Sequence, residues 1–183
     1  MLRSTSIKKD SWKPVKLLAR QPIDGTVIGL SGNRNGDIVS VLSDTNITIF
    51  NNRELVEKIP LTDGKEIHLV DFTNSLFVRT IGSLICYDFW GKLNWKYDNL
   101  SKDSTFCISK NGSSIILANQ NKIYYLNQFG EVEREASLST PILEMSLSDE
   151  KHLIVCNEDG LFLVKEDDTF FKLSDKNDYS EIA

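Results

Sequence analysis

The chain has 183 residues, 40% of them hydrophobic and 26% charged, with a formal net charge of −5. A chain of this length buries roughly 70% of the surface its unfolded form exposes, so it sustains one compact core without disulfide or metal staples. The acidic balance argues against nucleic acid or an anionic membrane as the main partner, and no run reaches the roughly 18 apolar residues of a membrane helix.

Residues 1–14 hold Arg3, Lys8, Lys9 and Lys13 against Asp10 and read as a basic tail; they contain no apolar stretch of the kind a secretory leader needs. Residues 15–25, "VKLLARQPIDG", are similar to the later segment "ELVEKIPLTDG" and are expected to form a spare strand. Four repeated units follow, over residues 26–64, 65–103, 104–140 and 141–174, and residues 175–183 form an acidic tail.

Each unit opens on a short alternating segment: Ile28 and Leu30, Ile67 and Leu69, Phe106 and Ile108, Met145 and Leu147, 39 residues apart each time. A turn comes next, "SGNRNGD", "VDFTNS", "SKNGS" or "SLSDEK", built of the residues that turns require. Beyond it, Ile38, Leu76, Ile115 and Leu153 align with separations of 38, 39 and 38 residues. Three further columns keep those separations: Ile47/Ile85/Tyr124/Phe162, Ile49/Tyr87/Leu126/Val164 and Leu55/Leu93/Val132/Phe170.

Every unit therefore reads as four short strands with period-2 alternation, and no amphipathic helix interrupts them. Strands such as "SIILA" and "HLIVC" are apolar on both faces, as in a sheet sandwiched by neighbours. The expectation is an all-β fold, a β-propeller of about four four-stranded blades, or half of a larger ring.

In the second unit, "LICYDFWGKLNWKYD" places Tyr87, Asp88, Gly91, Lys92 and Trp95 where they resemble the repeat of the quinoprotein-like propellers. The third unit keeps an echo, with Asn127 for the Asp and Arg134 for the Trp; the first and fourth lack the glycine and tryptophan. The resemblance implies a tight Gly-Lys turn and a Trp95 that docks between adjacent blades. Enzymes of that family hold a quinone and calcium through adjacent cysteines and acidic or amide ligands, and no such set occurs here. The Gly-His and Trp-Asp pairs of WD-type repeats are absent too.

The spare strand and the last unit's own fourth strand compete to complete the final blade. Because an open edge exposes apolar faces and backbone, the ring is expected to close, either within the chain or between two chains in a homodimer. The first 20 residues are basic, whereas residues 149–183 carry ten acidic against four basic side chains, so either the basic strand docks on the acidic last blade or both ends are solvated tails.

Cys86, Cys107 and Cys156 stand singly in apolar segments and read as free thiols of a reducing cytoplasm. His68 and His152 occupy different repeat positions, which makes a shared metal site a coincidence of folding. No phosphate loop or nucleophile motif occurs, so no catalytic, metal or cofactor residue is assigned. The candidate partner-binding residues lie on the face formed by the loops between second and third strands and between fourth and first strands: Asp44 and Asn46, Thr80 and Ser83, Asn119, Gln120 and Asn121, and Asn157, Glu158 and Asp159. These residue types are also what tight turns select.

The sequence thus predicts a cytoplasmic, non-enzymatic module that binds a protein or peptide through its loop face. The alternatives are a fragment or half-ring of a quinoprotein-like propeller enzyme, an oxidoreductase or lyase completed by dimerisation, and a small-ligand sensor.

Overall fold

The computed structural model describes residues 21–148, 152–165 and 167–174. The basic and acidic tails, and most of the spare strand, lie outside these residues; Gln21–Gly25 form no strand. The described chain is all-β, four antiparallel four-stranded sheets, each built from consecutive strands in chain order. Blade 1 comprises β1 (Val27–Gly32), β2 (Ile38–Ser43), β3 (Asn46–Asn51) and β4 (Glu54–Pro60). Blade 2 comprises β5 (Gly64–Val70), β6 (Ser75–Thr80), β7 (Ser83–Asp88) and β8 (Leu93–Asp98). Blade 3 holds β9 (Thr105–Ile108), β10 (Ile115–Asn119), β11 (Lys122–Leu126) and β12 (Val132–Ser137), and blade 4 holds β13 (Ile142–Leu147), β14 (Leu153–Asn157), β15 (Gly160–Val164) and β16 (Phe170–Ser174). The last blade therefore owns its fourth strand.

The core lies between the blades. Leu42, Ile47 and Ile49 of blade 1 pack against Ile67, Leu76, Val78, Ile85 and Tyr87 of blade 2. The other side of blade 2, with Phe77, Leu84 and Cys86, begins a second apolar layer that runs through Leu117, Ile116 and Ile123 of blade 3 to Leu153 and Val155 of blade 4. A sheet buried on both faces needs apolar residues at both parities, which explains the unbroken hydrophobic runs of the central strands.

Pairing corrects the alignment of the first unit. Leu76, Ile115 and Leu153 pair with Tyr87, Leu126 and Val164, and the pair standing in that place in blade 1 is Val39 with Phe50. Ile38 pairs instead with Asn51. In the same way Thr48, not Ile47, is the counterpart of Ile85, and Leu30, not Ile28, is the counterpart of Ile67, since Leu30 pairs with Val41 as Ile67 pairs with Val78. The column of Leu55, Leu93, Val132 and Phe170 stands, because each pairs with the residue just named in β3, β7, β11 or β15. Four residues lie between the paired Phe50 and Leu55, where five lie between Tyr87 and Leu93, Leu126 and Val132, and Val164 and Phe170, and that shorter turn at Asn52 and Arg53 shifts the register. A shift of one residue moves every side chain of a strand to the other face.

Candidate functional site

The loops singled out by sequence all lie at one end of the strands, and their side chains mostly hold the turns together. The hairpins also clamp the chain as it leaves the blade: Leu61, Leu100 and Leu138 donate backbone N–H bonds to the carbonyls of Thr45, Gly82 and Asn121. Asp44 accepts from the backbone N–H of Thr26 at 2.8 Å. Asn46 is buried and its side-chain oxygen accepts from Thr48 Oγ1 at 2.7 Å. Thr80 and Ser83 are buried against each other, and Ser83 Oγ donates to Asp98 at 2.6 Å.

Asn119 accepts from the Ser101 N–H at 2.9 Å and donates to the Asn99 carbonyl at 3.2 Å, while Asn121 donates to the Leu138 carbonyl at 2.9 Å. Asn157 is buried and accepts from the Asp159 N–H, and Asp159 in turn accepts from Thr140 Oγ1 at 2.9 Å. Gln120 and Glu158 are exposed; Gln120 takes a left-handed conformation at the turn, with φ of 59°. The structure thus distributes the ten residues over four separate hairpins, where turn geometry accounts for most of them.

The opposite end of the strands carries what sequence reasoning missed. Trp90 and Phe129 are each 65% exposed, and Phe72 is 79% exposed. Asp88 accepts from the N–H groups of Trp90 and Lys92 at 2.9 Å, and Asn127 accepts from those of Phe129 and Glu131 at 2.9 and 3.0 Å. Each Asx side chain thereby ties a turn that holds an aromatic ring out in solvent just before the turn glycine. The signal was in the sequence: "DFWGK" and "NQFGE" place an aromatic directly before that glycine in two successive units.

Phe72 sits on the turn between β5 and β6. With His68, Ile108, Lys110 and Arg34 it borders a cleft of about 690 Å³. Its neighbour Thr73 borders a second cleft, of about 410 Å³, with Trp95, Asn94, Gln128 and Phe129. One turn therefore separates two clefts, each rimmed by an exposed phenylalanine.

Trp95 lies where blades 2 and 3 meet. Its indole Nε1 donates to the Gln128 carbonyl at 2.8 Å, and its ring meets Phe77 edge-on with centroids 5.8 Å apart. Gly130, at φ of 79°, crosses directly over it, so that a Cβ there would lie 2.6 Å from Trp95 Cδ2. The Trp is a packing residue between blades, in the place the repeat resemblance implied.

On the innermost strands, Glu66 binds His68 Nε2 at 2.8 Å and Arg79 Nε at 3.2 Å. Burial alone would raise the Glu66 pKa, but the hydrogen bonds from His68 and Arg79 outweigh it and hold the carboxyl below its ordinary value. His68 also stands edge-on to Phe106, with centroids 5.2 Å apart. Among the described residues, no group of three or more His, Cys, Asp or Glu side chains is placed to hold a metal ion. All three cysteines are free thiols, with Cys86 buried. Burial pushes the Cys107 thiol up to about 12. No described helix is long and apolar enough to cross a membrane.

No family model matches the sequence, and no curated protein matches it. Solved structures do. A dihydro-heme d1 dehydrogenase, NirN, in complex with DHE superposes with a TM-score of 0.71 at 15% identity over 86% of this chain and 39% of that one. The β-propeller domain of Swd1 (Cps50) from Myceliophteria thermophila superposes with a TM-score of 0.57 at 11% identity over 76% of this chain and 52% of that one. The chain thus spans about two-fifths to one half of the chains it matches. Likeness at this level of identity concerns the fold alone, and together with the four stacked four-stranded sheets it makes this chain a β-propeller.

Proposed function

We propose that the chain is a non-enzymatic binding module whose partner is a protein or peptide. It engages the partner through the end of the blades that carries Phe72, Trp90 and Phe129. The observation that carries this reading is the pair of neighbouring clefts on either side of the Asp71–Asn74 turn, with Phe72 at the rim of one and Phe129 at the rim of the other. Large exposed aromatics are costly to leave in water and are the residues that dominate the energetics of interfaces. Rigid Asx turns hold Trp90 and Phe129 in place before binding, which lowers the entropy lost on association. The repeat is of the quinoprotein-like type, a reading supported by Gly91 at its turn and by Trp95 between blades. The free thiols suit a reducing cytoplasm.

A second reading, a half-ring of a propeller enzyme, is favoured by the polar cleft of about 430 Å³ among the inner strands, lined by Glu66, Arg79, Asp103 and Glu144. The neighbour NirN is named as a dehydrogenase.

The test is affinity capture of partners by the wild-type protein, compared with Phe72→Ala, Trp90→Ala and Phe129→Ala, alongside an absorbance spectrum and metal analysis of the purified chain. Partners retained by wild type and lost by the three variants support the module. A stoichiometric chromophore or metal on the purified protein would replace it with the enzyme reading.

A further inference from the structure

We infer that two copies of this chain close one eight-bladed ring, the outward face of blade 4 in each copy receiving the outward face of blade 1 in the other. The inference is independent of the aromatic surface described above.

The corrected register shows which side chains each blade turns toward its predecessor. They are Ile67, Leu76 and Val78 in blade 2, Phe106, Ile115 and Leu117 in blade 3, and Met145, Leu153 and Val155 in blade 4, all buried. Their counterparts in blade 1 are Leu30, Val39 and Val41. Leu30 is 70% exposed and Val39 and Val41 are only half-buried, whereas Thr48 and Phe50, farther out on the same face in the places of Ile85 and Tyr87, are buried.

The same comparison holds for the side turned toward the following blade. Leu42, Ile47 and Ile49 of blade 1, Phe77, Leu84 and Cys86 of blade 2, and Ile116, Ala118 and Ile123 of blade 3 are all buried. The counterparts in blade 4 are Ile154, Cys156, Leu161 and Leu163, all half-buried, with Phe171 exposed beside them. Both terminal faces have the composition of an internal joint, and Leu30, Val39 and Val41 at one end and Ile154, Cys156, Leu161 and Leu163 at the other lack the neighbour that covers such side chains between blades. The ring is therefore open within the described chain.

Each half of the missing joint matches the other in detail. Between blades 1 and 2, Ser31 Oγ accepts from the Leu69 N–H at 2.9 Å. Ser146 of blade 4 occupies the place of Ser31, and Gly32 of blade 1 the place of Leu69. Between blades 2 and 3, Trp95 lies under the turn at Gly130, and between blades 1 and 2, Glu57 and Ile59 lie under the turn at Gly91. Phe171 pairs with Leu163 as Trp95 pairs with Cys86, so it stands ready to lie under the Asn52–Arg53 turn of another blade 1.

One chain thus supplies both halves of the joint at opposite ends of its stack, and what it lacks a second copy provides. Such a joint is heterologous, and a two-fold arrangement satisfies it twice and leaves no open end. Four blades from each copy make a ring at the upper end of the usual range of four to eight blades.

The test is the mass in solution, by light scattering on a size-exclusion column at several concentrations, for wild type, Leu30→Glu, Leu163→Glu and an equimolar mixture of the two variants. Wild type is expected at twice 20.8 kDa, and each variant alone at 20.8 kDa, with dissociation strengthened by at least about 100-fold because both joints then bury an unpaired carboxylate. The mixture is expected to recover a dimer, since pairing the two variants leaves one joint with wild-type faces on both sides. Circular dichroism of the variants checks that each monomer is folded. A wild-type monomer at all concentrations, a ladder of larger species, a dimer indifferent to both substitutions, or a mixture that stays monomeric would each overturn the inference.

Discussion

Trp95 offers the sharpest test of how the blades are joined. Replacing it with alanine removes the indole from the seam between blades 2 and 3, its edge contact with Phe77 and its 2.8 Å bond to the Gln128 carbonyl. A fully buried Trp→Ala change costs about 3–5 kcal/mol. Trp95 is only partly buried, which places the expected loss near the lower end, about 3 kcal/mol, of which the hydrogen bond is about 1 kcal/mol. Trp95→Phe keeps the aromatic contact and should lose about 1–1.5 kcal/mol.

Gly130→Ala attacks the same seam from the other side, through two separable effects. The left-handed backbone costs a non-glycine residue about 1 kcal/mol, and the new methyl would sit 2.6 Å from the indole. Combining the substitutions isolates the clash: with the indole gone, Gly130→Ala should retain only its backbone cost. The assay is urea unfolding of wild type and the four variants, checked by melting temperature, where a protein of this size loses about 2–4 °C per kcal/mol. If Trp95→Ala cost under about 1 kcal/mol, or if the two substitutions added without coupling, the seam would not rest on this contact.

Other expectations follow from the same geometry. Glu66 carries a folded-state pKa below its ordinary 4.5, so its ionised form contributes stability that is complete above that value and is lost as pH falls through the lower folded pKa. Glu66→Gln should therefore lower the melting temperature near neutrality and converge with wild type in acid; parallel curves across pH would refute it. Asn119→Ala removes an acceptor from Ser101 and a donor to Asn99, and should cost about 1–2 kcal/mol in urea unfolding while leaving partner capture unchanged. Phe72→Ala and Phe129→Ala, at exposed positions, should shift stability by less than about 0.5 kcal/mol, which separates their role from folding. Cys107, with its thiol pushed up to about 12, should resist alkylation at pH 8 in the folded protein. Cys156, on the open face of blade 4, should alkylate faster in the Leu30→Glu monomer than in wild type, and equal rates would argue against a covered face.

Much of the architecture was legible in the chain itself. The four-fold repeat, the period-2 alternation and the turn residues follow from local chemistry: strands alternate faces, and Gly, Asn and Asp mark the turns. Trp95 was recognisable as a packing residue from its place after the Gly-Lys turn. The aromatic ring before the turn glycine was visible too, in Trp90 and Phe129, but exposure is a property of the fold and no residue type announces it.

The register of the first unit was decided only by the tertiary structure. Aligning the apolar columns put Ile38, Ile47 and Ile49 in places that belong to Val39, Thr48 and Phe50. In a blade covered on both sides both parities are apolar, so hydrophobicity carries no record of which face a residue takes, and a turn shortened to Asn52 and Arg53 moves the parity unseen. The open ends were hidden for the same reason. Leu30 and Leu163 look like core residues in sequence, and only the packing of neighbours, absent at the two ends of the stack, decides that one lies in solvent and the other half-buried.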